Sequence, residues 1–167
     1  MKCSKMLVVI LMLGMGISCG KKAEPQTEEV TPKDDQGLLQ GTWKPITAIA
    51  DGDKIPEIQF EDGSVEIAGD RMVFKVEGRV EEICKLTLDP NQKPKSIDLA
   101  VIDEKGIVQK LTNNKNEAIE WVRKGIYSID GNQLRVCTPD GVGVPRPTQF
   151  DALAGTGLTV MTFQKVR

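Results

Sequence analysis

Between Arg71 and Val136, apolar side chains recur at every second residue in short runs broken by turn residues. Met72, Phe74 and Val76 form one run, Cys84, Leu86 and Leu88 a second, and Ile97, Leu99 and Val101 a third. A period of two lines one face of an extended strand and cannot make the stripe of an amphipathic helix. Trp43, Ile46 and Ile49 lie in an earlier β segment, Ile126–Ile129 and Leu134–Val136 in later ones, and Thr159–Val166 in the last. Asp51-Gly52, Asp62-Gly63, Gly69-Asp70, Glu77-Gly78, Asp130-Gly131-Asn132 and Asp140-Gly141 carry the residues that tight turns need. YSIDGNQLRV reads as a β-hairpin. The pattern predicts an all-β domain of seven to nine short strands. Successive hairpins without crossover helices close most simply into a small antiparallel up-and-down barrel, which also removes exposed sheet edges. A β-sandwich is the alternative. One stretch, NNKNEAIEWVR (113–123), departs from the pattern by placing Ala118, Ile119 and Val122 at helical spacing. It is read as a short helix or an irregular excursion, with Trp121 as a packing anchor.

The first twenty residues have a different character. Lys2 and Lys5 precede an apolar run, Met6–Met15, that suits the core of a signal peptide and is too short for an ordinary membrane-spanning helix. Gly16-Ile17-Ser18-Cys19 ends the run, and a small residue followed by Cys at this point resembles the lipobox of bacterial lipoproteins. Gly16 stands where that pattern usually carries a branched residue. The resemblance implies cleavage after Ser18, a diacylglycerol thioether on Cys19 and acylation of the new N-terminus, which together anchor a chain stably. Residues 20–37 are rich in charge, contain two Pro and have almost no large apolar side chain, so they are read as a disordered tether. The expected division is a signal peptide over 1–18, a lipidated Cys and tether over 19–37, and a barrel domain over 38–167. Such a protein sits outside the cytoplasm, held to the cell envelope by its lipid.

Composition excludes several functions. The net charge is −2, so no basic field draws nucleic acid, and with one Tyr the chain lacks stacking platforms for single strands. It contains no His, which removes the commonest general base, the Ser-His and Cys-His pairs, and mixed zinc sites. Asp51 and Asp53 lack the spacing of a calcium loop. Glu81 and Glu82 are neighbours in a strand and point to opposite faces. GVGVPRP (141–147) lacks the Lys-Ser/Thr of a phosphate loop. No cofactor, metal or catalytic group is expected, and the chain is read as a non-enzyme.

Three further residues are candidates for a role. Cys84 and Cys137 are the two cysteines beyond Cys19, and outside the cytoplasm such a pair often forms a disulfide. Alternation, however, puts Cys84 on the face of Leu86 and Leu88, and Cys137 opposite Leu134 and Val136. Arg146, stiffened by Pro145 and Pro147, either binds an anionic group of a ligand or pins its loop through an Asp.

Gly41-Thr42-Trp43 matches the G-x-W of lipocalins. In that fold the Trp caps one barrel end against a basic residue of the last strand, a role the resemblance gives to Arg167 or Lys165. LQGTWK, DPNQKPKSIDL (89–99), GIYSIDGNQLRVC (125–137) and PRPTQF (145–150) follow in the order found in uncharacterised lipocalin-like domains, mainly of planctomycete bacteria. The chain resembles that family over most of residues 38–167 and departs from it by a longer, more charged stretch over 107–124. The resemblance implies a small barrel and brings no activity. Two functions follow as expectations. One is a tethered barrel that binds a small apolar or amphipathic ligand. The other is a plugged barrel that meets another envelope protein.

Overall fold

The computed structural model describes residues 34–112 and 115–167, which fall in a single compact unit, Pro32–Arg167. The expected signal peptide, Cys19 and most of the tether lie outside the described residues. The strands are β1 (Gly41–Ala50), β2 (Asp53–Lys54), β3 (Gly63–Ala68), β4 (Arg71–Val76), β5 (Arg79–Asp89), β6 (Ser96–Val101), β7 (Lys110–Thr112), β8 (Ala118–Glu120), β9 (Val122–Asp130), β10 (Gln133–Pro139) and β11 (Leu158–Lys165). The wall runs β1-β3-β4-β5-β6-β9-β10-β11, every neighbour is antiparallel, and β11 returns to pair with β1. This is a closed eight-stranded up-and-down barrel, and closure rules out the sandwich. β2 adds to the far end of β1. The hairpin expected from YSIDGNQLRV is present, with Gly131 and Asn132 as its two-residue turn.

Residues 115–123 form no helix. Ala118–Glu120 make β8, which pairs with β7 in a separate two-stranded ribbon, and Val122 already belongs to β9. The apparent helical spacing comes from a strand, a one-residue break at Trp121 and a second strand. The first β segment carries a register shift between Pro45 and Thr47, so Ile46 is a bulge residue. That explains how Ile46 and Ile49, three apart, both face outward, while Trp43 points inward and is fully buried.

Two apolar clusters flank the wall. Inside it pack Trp43, Val65, Leu86, Leu99, Tyr127 and Phe163, among others. Outside it, Ile126, Cys137 and Val160 are covered by Ala152 and Phe150 from the long β10–β11 connection. Cys84 belongs to the inner cluster and Cys137 to the outer one, and both are free thiols. The disulfide considered from the sequence is therefore not formed, and the reason is the face assignment that alternation gives. Burial pushes both thiols up, Cys84 to about 12 and Cys137 to about 11, so neither is a nucleophile near neutral pH.

One end of the barrel is sealed by the helix α1 (Asp35–Leu39), which starts three residues upstream of the expected domain boundary. The indole of Trp43 donates to the Leu39 carbonyl at 2.8 Å. The Lys165 ammonium lies 5.2 Å from the Trp43 ring centre and donates to the Leu38 carbonyl at 2.9 Å. Lys165 rather than Arg167 is the basic cap, because β11 ends at Lys165 opposite Trp43 and Arg167 is exposed beyond it. The Asp35 carboxylate is buried and accepts from the Tyr127 hydroxyl at 2.6 Å and from Lys95 at 2.7 Å.

Burial acts to raise the Asp35 pKa, and the hydrogen bonds from Lys95 and Tyr127 outweigh it, so the net shift is downward from 3.8. A lowered carboxylate stabilises the fold above its ordinary pKa, and that contribution is lost as pH falls through the lowered value. Asp35→Asn is therefore expected to reduce the urea midpoint at neutral pH by about 1–2 kcal/mol of stability. The difference from wild type should narrow below pH 3.8. Equal midpoints for the two proteins at pH 7 would remove Asp35 from the latch.

Candidate ligand site in the barrel lumen

The half of the lumen away from α1 is not filled. A cavity of about 150 Å³ remains there, lined by Val65, Met72, Phe74, Leu99, Val136, Met161 and Phe163, with Thr138, Glu82 and Arg123 supplying its polar atoms. Strand parity puts these charged groups inside. Glu82 is in step with Cys84 and Leu86 on β5, and Arg123 with Tyr127 on β9. Between the two strands lies β6, where Leu99 is opposite Arg123 and Val101 is opposite Cys84. The two long side chains reach across it and form an ion pair through Arg123 Nη2 and Glu82 Oε1.

Cys84 completes the cluster. Its thiol donates to Glu82 Oε1 at 3.4 Å, and Arg123 Nη2 lies 3.5 Å from Sγ. Burial acts to lower the Arg123 pKa, but the facing Glu82 carboxylate holds it above its ordinary value. The guanidinium is thus a permanent cation at the edge of an apolar space. Its Nε is buried without a hydrogen-bond partner, as is the Trp121 indole nitrogen. Trp121 packs against the inner cluster, as expected of an anchor.

Arg146 is elsewhere, on the outer wall. Its Nη2 donates to Asp98 Oδ1 at 2.6 Å, and its Nη1 donates to the carbonyls of Gly125 at 2.5 Å and Ile97 at 3.2 Å. Of the two roles open to it, pinning the 144–148 segment to β6 and β9 is the one its contacts fulfil. Hollows of about 550 and 640 Å³ lie on either side of it. Both exceed the lumen cavity, but their linings mix charged and apolar groups. The lumen is the space where an apolar lining converges on a few polar atoms, the arrangement typical of small-molecule sites.

The lumen charges were within reach of the sequence. Glu82 falls on the inward parity of β5, and a carboxylate there signals a partner inside. Arg123 was hidden by the break at Trp121, which obscures where β9 begins. The Asp35–Tyr127–Lys95 latch gave no signal, since Asp35 lies in a stretch whose composition reads as tether. No family model, no curated protein and no solved structure matches this chain.

Proposed function

We propose that the chain is an envelope lipoprotein, anchored through Cys19, whose barrel receives a compact apolar or amphipathic molecule on the scale of a single ring. The observation that carries this reading is the apolar lumen cavity of about 150 Å³ with the Glu82–Arg123 pair at its edge. An apolar cavity of about that size in another protein admits benzene or xenon. Larger amphipaths need the two methionines, Met72 and Met161, to swing aside, and unbranched side chains of this kind re-pack readily. The anchor rests on the Lys2/Lys5 n-region, the apolar run and Cys19.

A second reading has its own support. Trp43, Leu86, Tyr127, Leu134 and Phe163 fill the rest of the interior, so a plugged barrel acting through its outer surface accounts for most of the volume.

One preparation tests both. The full chain, produced with its leader in a bacterial envelope and released in detergent, is examined by native mass spectrometry and titrated with toluene and benzoate. The expected mass is that of a chain starting at an acylated Cys19, and Cys19→Ser should release the protein from membranes. Saturable chemical-shift changes at Met72 and Met161 methyls are expected with toluene. A chain that keeps residues 1–18 and carries no lipid would defeat the anchor. Methyl signals unmoved by any probe would leave the plugged barrel as the reading.

A further inference from the structure

The run from β8 into β9 has one edge with no strand beside it among the described residues. Trp121 fixes its direction. Its N–H donates to the Gln109 carbonyl at 2.8 Å and its carbonyl accepts from Val101 N–H at 2.9 Å, so its backbone groups face β6 and the chain entering β7. Successive residues of an extended chain turn their N–H and C=O to alternate edges. Glu120, Val122 and Lys124 therefore turn theirs the other way. On that side β10 begins to pair only at Ile126, opposite Cys137. Next to this edge lies the 640 Å³ hollow, bounded on its far side by the 142–146 segment.

An unpaired edge is a template for another strand. We propose that this edge pairs with the same edge of a second copy of the chain, antiparallel, about a two-fold axis at Val122. The argument is charge complementarity in a single register. With Val122 opposite Val122 of the second copy, Glu120 of each chain faces Lys124 of the other. Both ends of the contact then bring opposite charges together, and opposite-charge cross-strand pairs are favourable where like charges are not. A two-fold axis moved to Glu120 or to Lys124 would instead set like charges face to face. In the Val122 register all three residues turn donor and acceptor to the partner, so each position forms a hydrogen-bonded pair. The contact is isologous and closes at two chains. Lys124 and Glu120 are exposed and Val122 is half-buried, so none has to leave the barrel core to reach a partner.

Sedimentation of the detergent-released full chain tests this. A dimer is expected, and Glu120→Lys or Lys124→Glu alone should raise its dissociation constant about tenfold or more, since each places two like-charge pairs in the contact. The double reversal in one chain should restore the dimer. Mixing the two single variants should give a heterodimer, because one copy then carries two Lys and the other two Glu. That mixing result also excludes misfolding as the cause of weakened pairing. A monomer at every concentration, or a dimer that ignores all four combinations, overturns the proposal.

Discussion

Trp43→Ala is expected to cost the fold about 3–5 kcal/mol, read as a lower urea midpoint at an unchanged m-value. The total stability of a domain is about 5–15 kcal/mol, so this one change removes a large share of it. Three losses combine. The indole is fully buried in the inner cluster, and its removal leaves a cavity at the sealed end. The Leu39 carbonyl loses the donor that holds the last residue of α1. Lys165 loses the ring face above which its ammonium lies, though it keeps the Leu38 carbonyl. Trp43→Phe retains a ring and should cost about half as much. A Trp43→Ala midpoint within experimental error of wild type would show that α1 and Lys165 seal the end without the indole.

The second large effect is expected in the lumen. Glu82→Leu alone leaves the Arg123 guanidinium among apolar side chains with its Nε already unpaired. Breaking a fully buried pair costs about 3–5 kcal/mol. Here the partners retain 21% and 25% side-chain exposure, so water screens part of the loss and about 2–3 kcal/mol is expected. The double variant Glu82→Leu/Arg123→Leu should recover most of that stability, because replacing both charges with apolar side chains removes the desolvation cost. A double-mutant cycle by urea unfolding measures the coupling. Additive single effects would mean that the two groups do not depend on each other.

Much of the wall was legible in the sequence, because its residues obey one local rule. Parity alone separated Cys84 from Cys137, and turn chemistry alone placed the Gly131-Asn132 hairpin. What escaped was produced by breaks in the rule. The bulge at Ile46 changes the phase within β1, and at Trp121 the chain changes partner, from β7 to β6, while keeping its phase. Each break hides the register downstream of it, and the register decides whether Lys165 or Arg167 meets Trp43 and whether Arg123 reaches Glu82. The latch at Asp35 depends on Tyr127, 92 positions away, a contact that no local pattern encodes. The cavity depends on how Met72, Phe74, Met161 and Phe163 share space, which is a property of packing rather than of order along the chain.

The pairing of Trp43–Ala50 with Thr159–Lys165 has a consequence for how the molecule comes into being. The first strand made is the last to be completed. On its other side β1 touches β3 only through Gly41–Trp43, so most of its length waits for β11, the last barrel strand to be made. Contacts between such distant parts of a chain make folding slow, on the order of milliseconds to seconds for barrel topologies. During that interval the apolar inner faces of β3 to β6 have no roof. The hairpins β3–β4, β4–β5 and β5–β6 join residues near in sequence and can pair early, but the barrel stays an open sheet until β11 reaches β1.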